Sequence, residues 1–274
     1  WQLSTWDDYK GFKRLGRKTR LSESKRAALW SIFEEVQDSL KAKRLMTAAA
    51  AYFHLAATLS DRTNKPFDYI VIDEAQDISP MQLKFVGAMA EGGANNLFFA
   101  GDLGQRIFQT PFSWASLGVQ IRGRSSILRI NYRTSHQIRM QADLLLDKKI
   151  SDVDGNEEDR SGTVSVFNSI KPIVKVYDDD SAEIKGVAEW ITKRIEDGAS
   201  AGEIGIFVRS AAQMPRAEQS IKVAGLKAKV LDENSEPDQD HVTVSTMHLA
   251  KGLEFRFVAV IACDDEVIPS QERI

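Results

Sequence analysis

The stretch FDYIVIDEAQD, residues 67–77, constrains the fold of this chain most strongly. Its apolar residues predict a buried β-strand, and Asp73 and Glu74 follow at the carboxyl end of that strand. In an open α/β sheet the ligand crevice lies beyond the carboxyl ends of the strands, so these acids would face a ligand and not the core. One carboxylate can hold a Mg²⁺ ion that bridges phosphates, while its neighbour orients or deprotonates water. An ordinary buried strand that ends in solvated acids is the alternative.

Two N-terminal segments, residues 22–43 and 46–60, are predicted to be helices. Ser22 is the expected N-cap of the first, because its hydroxyl can accept a hydrogen bond from the first turn. We expect this helix to pack against the scaffold through an apolar face formed by Leu29, Ile32, Phe33, Val36 and Leu40.

Strand and helix patterns alternate after residue 67, which implies parallel sheets with covering helices. A helix is expected from Ser79 and Pro80 through Ala90, ended by Gly92 and Gly93. Two later helices are expected. One runs from about Ser181 to Glu196, and the other follows IGIFVRS and ends at Ala224. Strands are expected in VSVF (164–167), IGIFVRS (204–210), AKVLD (228–232) and FVAVIAC (257–263). The acidic segment SDVDGNEEDRSG, residues 151–162, is predicted to be a loop.

Composition excludes several classes of protein. The chain has 274 residues, of which 43% are hydrophobic and 27% charged, a mixture typical of one or two globular domains. No apolar run approaches the roughly 20 residues of a membrane span, and no signal-peptide pattern opens the chain, so we expect an intracellular, soluble protein. The single cysteine, Cys263, cannot form an internal disulfide and is predicted to pack in the core.

The net charge of −3 gives no overall attraction to nucleic acid, so DNA binding would depend on local patches. The best patch lies between Lys10 and Arg26, and either phosphate binding or a solvated helix face would explain it. Within it, GFKRLGRKT (11–19) is close to the phosphate loop G-x-x-x-x-G-K-[ST], but Arg17 is inserted before Lys18 and no hydrophobic strand precedes it. We therefore expect this chain to lack a working phosphate loop and to hydrolyse ATP negligibly on its own.

Four blocks carry a resemblance to a known family. FDYIVIDEAQD is followed by NNLFFAGDLGQRIF (95–108), ILRINYRTS (127–135) and VTVSTMHLAKGLEF (242–255). In this order they resemble motifs II, III, IV and V of the UvrD/Rep family of superfamily 1 DNA helicases. The resemblance implies an α/β fold of the RecA-like P-loop NTPase type, with parallel sheets, flanking helices and two lobes. It also implies an ATP-dependent DNA helicase or translocase, moving 3′ to 5′, that uses ATP and Mg²⁺.

The resemblance implies four catalytic roles. Asp73 would hold Mg²⁺ through water, and Glu74 would be the catalytic base. Gln105, in GDLGQ, would sense the γ-phosphate or align the attacking water, whereas a residue that only caps its loop is the alternative. Arg133, in NYRTS, would act as an arginine finger, whereas a salt bridge at a helix start is the alternative.

Further residues are implied in binding. Nucleotide, held between the lobes, would contact Gln76, Asp102, Lys251, Gly252 and Glu254, the last at the ribose. Thr246 and His248 would link DNA to the cleft, although a lone histidine is more often structural. Single-stranded bases would stack on exposed rings, for which the candidates are Phe108, Phe112 and Trp114; core aromatics would give the same pattern.

The resemblance divides the chain into three parts. Residues 1–62 form a helical N-terminal segment of accessory type, residues 63–124 the end of the first lobe, and residues 125–274 the second lobe. The second lobe would lack a large accessory insertion and stop before motif VI, so the chain is expected to be a fragment. The implied partners are single-stranded DNA or a duplex with a single-stranded tail, with a possible protein partner and no membrane, in the cytoplasm at the nucleoid. A non-motor binding module, or a helicase-like scaffold in a nuclease or defence assembly, are the rival interpretations.

Overall fold

The computed structural model describes residues 3, 5–12, 21–90, 95–147, 149–232 and 235–268. The chain divides into two compact units, Trp1–Pro172 and Ile173–Ile274. The lobe boundaries expected after residues 62 and 124 differ from this division, and the assignment of segments to lobes stays a prediction.

The first unit begins with three helices, α1 (Trp6–Gly11), α2 (Glu23–Ala42) and α3 (Ala48–Ser60). The two longer helices confirm the predicted ones to within two residues at each end. Ser22 is the N-cap of α2, as predicted, since its hydroxyl accepts a hydrogen bond from the backbone N–H of Lys25.

Helices α1 and α2 are joined by aromatic and polar contacts. The ring of Tyr9 stacks on that of Trp30 with 5.5 Å between the centroids. The guanidinium of Arg26 donates to the backbone carbonyls of Tyr9, Lys10 and Phe12 at distances of 2.9 to 3.0 Å. Carbonyls at the carboxyl end of a helix have few partners within the helix, so Arg26 adds hydrogen bonds at the end of α1.

The apolar face predicted for α2 is not buried. Ile32, Phe33 and Val36 are each about half exposed, and Trp30 is the buried residue of this helix. The expected packing is therefore wrong for Ile32 and Val36, whereas the ring of Phe33 meets that of Tyr9 edge-on with 5.7 Å between the centroids. The periodicity predicted the helix correctly, but six-residue α1 is too short to cover one face of 20-residue α2.

A two-stranded parallel sheet follows, formed by β1 (Ile70–Ile72) and β2 (Leu97–Phe99). Between them runs α4 (Pro80–Met89), whose N-cap Ser79 forms a capping box with Gln82. The expected glycine end of this helix, Gly92 and Gly93, lies outside the described residues. The core on one side of the sheet consists of Ile70, Ile72, Leu97, Phe99, Leu83, Val86, Phe112 and Val119.

The other side of this sheet is open in the described part of the chain. Val71 is 73% exposed and Phe98 is 63% exposed. The strand predicted to be buried is therefore buried on one face only. Successive side chains of a strand point to opposite faces, and α4 and its neighbours cover one of them.

The remainder of the first unit contains a second parallel pair, a helix and a hairpin. These are β3 (Ile130–Asn131) with β6 (Val164–Ser165), α5 (His136–Asp143), and the antiparallel β4 (Lys149–Ser151) and β5 (Glu157–Asp159). The loop predicted over residues 151–162 is thus wrong for Ser151 and Glu157–Asp159, which lie in strands, whereas residues 152–156 and 160–162 form turns and irregular backbone. The carboxylate of Asp152 accepts from the backbone N–H groups of Asp154 and Asn156, and this turn closes the hairpin.

The turn of the hairpin is fastened to the segment that follows β2. Asp154 accepts hydrogen bonds from the Ser113 hydroxyl at 2.5 Å and from the backbone N–H groups of Trp114 and Ala115 at 2.6 and 3.1 Å. Partial burial favours protonation, but these hydrogen bonds prevail and hold the pKa of Asp154 below its ordinary value. The carboxylate thus caps the start of a 3₁₀ helix formed by Ala115–Leu117.

We expect Asp154→Ala to lower the free energy of unfolding by about 1–2 kcal/mol, the usual cost of a lost cap. Because the folded-state pKa is lowered, this stabilisation is present above the ordinary pKa and is lost as the pH falls through the folded value. Urea denaturation at neutral and acidic pH measures both effects. Glu157→Ala, at a largely exposed position of the same hairpin, is the control and should be near neutral. An equal loss in both variants would contradict the capping role.

The second unit is built on a four-stranded parallel sheet of order β10-β7-β9-β8. Its elements confirm the predicted alternation of strands and helices. The strands β7 and β9 are buried along their whole length, as is typical of central parallel strands covered on both faces. The elements are α6 (Asp180–Glu196), β7 (Ile204–Val208), α7 (Met214–Val223), β8 (Ala228–Val230), β9 (Val242–Thr246) and β10 (Phe257–Val260).

Cys263 lies beyond the end of β10 and is exposed, so its predicted role in the core is wrong. The apolar run continues to Cys263, but the strand stops earlier because Ala262 adopts a φ of 56°. Partial burial and the carboxylates of Glu183 and Asp264 raise the pKa of the thiol, which disfavours the thiolate. Within the described part of the chain, no helix is long and apolar enough to cross a membrane.

Candidate nucleotide site

The carboxylates of Asp73 and Glu74 follow the carboxyl end of β1 and are both exposed. Glu74 has a φ of 50° and a ψ of 39°, the left-handed region that side chains other than glycine rarely adopt. Its backbone N–H donates to the carboxylate of Asp73 at 2.8 Å. The two acids are therefore held at the tip of a sharp turn, directly before a 3₁₀ helix formed by Ala75–Asp77.

The left-handed conformation of Glu74 predicts an unusual ranking of variants. Glu74→Gly should be more stable than Glu74→Ala by about 1 kcal/mol, because glycine adopts a positive φ without the steric cost of a Cβ atom. Chemical denaturation of the two variants measures the difference. The same pair of substitutions at Glu35, an exposed residue inside α2, should give the opposite order, since glycine weakens a helix interior. If the alanine variant is the more stable one at both positions, the backbone at residue 74 is not strained.

Gln76 connects the turn after β1 to the loop after β2. Its side chain is 94% buried by the surrounding residues, its carbonyl oxygen accepts from the backbone N–H of Asp102 at 3.0 Å, and its amide nitrogen donates to the carboxylate of Glu74. A side chain at position 101 would collide with Gln76, so Gly101 permits this close approach. The carboxylate of Glu74 is thus linked through one buried amide to the backbone of the GDLGQ loop.

Asp102 organises the loop that carries Gln105. One of its oxygens accepts from the side-chain amide of Gln105 at 2.9 Å, and the other accepts from the backbone N–H of Gly104 at 2.8 Å. The second oxygen also lies 2.8 Å from the guanidinium of Arg160. Gln105 itself is exposed, on a 3₁₀ helix formed by Leu103–Gln105. Its amide is therefore oriented by Asp102 while it faces solvent.

A cavity of about 360 Å³ lies beside the two carboxylates. Asp73, Glu74 and Asp77 line it together with the rings of Tyr52 and Phe85, whose centroids are 5.4 Å apart. In the described part of the chain, no group of three or more His, Cys, Asp or Glu side chains is arranged to hold a metal ion directly. One or two exposed carboxylates suit Mg²⁺, which keeps several of its waters.

Arg133 lies between β3 and α5, on a turn that Asn131 braces. The side-chain oxygen of Asn131 accepts from the backbone N–H groups of Arg133 and Thr134, each at 2.9 Å. Ser135 then caps α5 through the backbone N–H of Ile138. Arg133 precedes the helix, and its side chain is exposed.

The HLAKGLEF block follows the central strand β9 of the second unit. Thr246 ends β9 and is buried, and its hydroxyl lies 3.4 Å from Nε2 of the exposed His248. The turn that follows carries Lys251, which is half-buried, and Gly252. Glu254 is exposed beyond that turn. These residues lie on one short stretch at the carboxyl end of a strand, where ligand-binding loops of such sheets occur.

The three aromatic residues considered for base stacking differ in exposure. Phe112 is 5% exposed and belongs to the core, where Trp114 packs between it and Phe99. Phe108 is 53% exposed. Of the three, Phe108 is the ring that can stack on a base without first leaving the core.

The basic patch is described in part. Lys10 forms an ion pair with Glu23 at 2.6 Å, and Arg26 is engaged with the end of α1. The segment before the phosphate-loop-like sequence is the helix α1 and not a strand, as expected. Residues 13–20, which include Arg17 and Lys18, lie outside the described residues.

Two family profiles match the chain. That of the UvrD/REP helicase N-terminal domain covers residues 9–114, and that of the UvrD-like helicase C-terminal domain covers residues 231–274, together more than half of the chain. The chain belongs to the UvrD/Rep-like helicase family. Its mixed α/β fold, with parallel sheets and flanking helices, is the RecA-like fold expected of a UvrD/Rep-like protein.

Individual relatives agree with the profiles. The chain is 27% identical over 157 residues to the Bacillus subtilis protein YjcD. The matched stretch covers 56% of this chain and 20% of the relative. It is 22% identical to the mitochondrial ATP-dependent DNA helicase HMI1 of Saccharomyces cerevisiae, over 73% of this chain and 29% of the relative. It is 24% identical to the ATP-dependent DNA helicase UvrD2 of Mycobacterium tuberculosis, over 68% of this chain and 27% of the relative. The chain spans less than a third of the length of each of these relatives.

Sequence reasoning missed the residues of the β4–β5 hairpin that contact the UvrD/Rep-like motif III loop. Arg160 and Glu158 lie 58 and 55 residues beyond their partners Asp102 and Leu103. An acidic segment with one arginine gives no periodic signal for such a contact. The EEDR run, three acids followed by one arginine, does not alternate and gives no signal of a paired strand.

Proposed function

We propose that this chain contributes the motif II to V part of an ATP-dependent DNA helicase or translocase that moves along single-stranded DNA in the 3′ to 5′ direction. The family to which the chain belongs supports ATP use and a DNA substrate. The direction, the single-stranded track and the contribution of a fragment of a longer protein are our proposals. Work on DNA would place the protein at the nucleoid.

One observation carries this proposal. Glu74 stands after the carboxyl end of a parallel strand in a left-handed conformation, with its carboxylate bonded to the buried Gln76. A backbone of this kind costs free energy and persists at positions where function requires it. A solvated acid at a strand end needs neither the strain nor a buried partner. The interpretation of this turn as an ordinary strand end with solvated acids is therefore less favoured.

The chemistry follows from the two carboxylates. Mg²⁺, when bound, would neutralise charge on the phosphate oxygens, and Asp73 would hold it through water. Glu74 would orient the attacking water and accept its proton. The hydrogen bond from Gln76 fixes the direction of the Glu74 carboxylate, which leaves its free lone pairs to face the water.

Two further side chains of the first unit act on the phosphate in this proposal. Gln105, oriented by Asp102, would donate its amide to a γ-phosphate oxygen or align the water. Arg133 would offset the charge that spreads over the phosphate oxygens in the transition state. Both side chains are exposed and carried on turns with fixed backbone bonds, which supports a role toward a ligand.

The remaining contacts are assigned by type. Lys251, Gly252 and Glu254 would contact the nucleotide, with Gln76 and Asp102 supporting it from behind the turn. Thr246, through His248, would respond to DNA. Phe108 would stack on a base, whereas Phe112 and Trp114 would act through the core beneath it.

Steady-state ATP hydrolysis by the full-length protein, with and without single-stranded DNA, tests the proposed function. We expect turnover that rises when DNA is added, and translocation on DNA tracks that carry a free 3′ end. If ATP is not hydrolysed, or if the rate of hydrolysis does not change when DNA is added, a non-motor module with the same fold is favoured.

A further inference from the structure

The β4–β5 hairpin grips the segment that follows β2 at two places. Its turn binds residues 113–115 through Asp154. Glu158 in its second strand, and Arg160 just after that strand, contact the GDLGQ loop. The two grips lie at opposite ends of this segment. The hairpin therefore restrains the loop that carries Gln105 together with the segment beyond it.

Arg160 is the centre of the second grip. Its guanidinium lies 2.8 Å from one oxygen of Asp102 and 3.2 Å from the carboxylate of Glu158. The side chains of Arg160, Asp102 and Glu158 are exposed by 23%, 27% and 20%, so all three are largely withdrawn from water. Both acids lie against the same terminal nitrogen, Nη1, while Nη2 lies 3.8 Å from Asp143. The planar group therefore reaches three carboxylates, whereas an ammonium group is a single point charge.

Glu158 completes the grip on the loop backbone. Its other oxygen accepts from the backbone N–H of Leu103 at 3.2 Å. Burial and the nearby carboxylate of Asp102 raise the pKa of Glu158, while the bonds from Leu103 and Arg160 act in the opposite direction. Without Arg160, two carboxylates would face each other with no cation between them, and the loop would be pushed away from the hairpin.

The same arginine extends the connection to α5. The guanidinium of Arg160 lies 3.8 Å from the carboxylate of Asp143, which also binds Arg139 at 2.6 Å. Arg139 in turn donates to the hydroxyl of Ser165 on β6 at 3.2 Å. A chain of charged contacts thus runs from the GDLGQ loop to the helix that begins three residues after Arg133.

We propose that Arg160 is a positioning residue for ATP hydrolysis, which holds Asp102 so that Gln105 and, through Gln76, Glu74 keep their orientation toward the nucleotide. The inference rests on the proposed function of the carboxylate turn. Arg160 does not touch substrate in this mechanism; it acts on Asp102, whose side chain orients Gln105 and whose backbone N–H binds Gln76.

The test is the kinetics of Arg160→Ala in the full-length protein with single-stranded DNA present. We expect kcat to fall by about 10- to 100-fold, the usual effect of losing an outer-shell partner, with a change in the KM for ATP of less than about threefold. Arg160→Lys keeps the charge but loses the second terminal nitrogen, which lies near Asp143, and should recover part of kcat. The matched control is Lys149→Ala, which removes an exposed cation from the same hairpin and should leave kcat unchanged.

Amide hydrogen exchange gives a readout that a general loss of stability would not reproduce. In Arg160→Ala, the amides of Leu103 and Gly104 should exchange at least about tenfold faster, because both bonds that protect them depend on this cluster. Amides inside α4, in the same unit as Arg160, should keep their protection. If Arg160→Ala fails to fold, Arg160→Gln decides, because it keeps most of the side chain and removes the charge. A wild-type kcat in that variant would overturn the inference, and a reduced kcat with an unchanged Tm would support it.

Glu74→Gln separates the inference from the function on which it rests. If Glu74→Gln hydrolyses ATP as the wild type does, the proposed function fails. If Glu74→Gln is inactive while Arg160→Ala keeps the wild-type kcat and the wild-type exchange of Leu103, the positioning role of Arg160 alone is overturned. Inactive Glu74→Gln with slow Arg160→Ala supports both.

Discussion

Glu74→Gln in the full-length protein is expected to abolish ATP hydrolysis and unwinding while it retains binding of Mg²⁺-ATP and of single-stranded DNA. Glutamine keeps the size of the side chain and can still bond to Gln76, but it cannot accept a proton from the attacking water. The substitution therefore removes an interaction that matters in the transition state and leaves ground-state contacts in place. Steady-state ATPase and equilibrium nucleotide binding, measured on the same preparation, distinguish the two effects.

Two variants make this result specific. Asp73→Asn should weaken productive binding of the metal and nucleotide as well as hydrolysis, because Asp73 is the proposed holder of Mg²⁺. Asp68→Asn is the matched control, since Asp68 is an exposed carboxylate before the amino end of β1 and should have no effect on turnover. Hydrolysis by Glu74→Gln at the wild-type rate would mean that the FDYIVIDEAQD turn is not a catalytic centre, and a non-motor module would become the better hypothesis.

The elements of this molecule were predictable where local rules decide them. Ser22 and Ser79 are N-caps because a hydroxyl in the first turn binds a backbone N–H whatever the rest of the fold does. The buried strand β7 follows from an apolar run, since central parallel strands are covered on both faces. Composition does not explain β9, whose Thr243 and Ser245 are buried as fully as its valines. The position of Asp73 and Glu74 at a strand end was also visible, because it depends on neighbours in sequence.

Contacts between distant segments were not predictable. The exposure of Val71 and of the α2 face depends on which elements reach them, and periodicity reports only that a face is apolar. The acidic segment around Asp154 was expected to be a loop from its composition, but its acids are bound to the turn backbone and to residues 113–115. Cys263 was misplaced because one positive φ, at Ala262, ends the strand before the apolar run does.

The candidate site shows the same division. Sequence indicated the residue types at Glu74, Gln105 and Arg133, since each stands in a motif that follows a strand. It could not indicate that Gln76 joins Glu74 to Asp102, because this bond depends on the parallel register of β1 and β2. The role of Arg160 could not be predicted for the same reason. Its partner Asp102 lies on another element, and no sequence spacing connects the two residues.

Arg133→Ala is expected to slow ATP hydrolysis in the full-length protein by a factor on the order of 10³, as removal of other arginine fingers does. Nucleotide binding should weaken much less, because the guanidinium offsets charge that develops on the phosphate oxygens only as the bond breaks. The side chain of Asn131 holds this turn through the backbone N–H groups of residues 133 and 134, and these bonds do not depend on the arginine side chain. The fold should therefore survive the substitution, and single-turnover kinetics can be compared directly with equilibrium nucleotide binding.

The control for Arg133 is Arg129→Ala, since Arg129 is an exposed arginine just before β3 and should leave turnover unchanged. Arg133→Lys adds a second distinction. A lysine keeps the charge but not the planar fork, so a finger role predicts that most of the loss persists, whereas a simple salt bridge at the start of α5 predicts recovery. A wild-type turnover number for Arg133→Ala would show that this residue serves the structure, and the transition-state cation would then have to come from another residue.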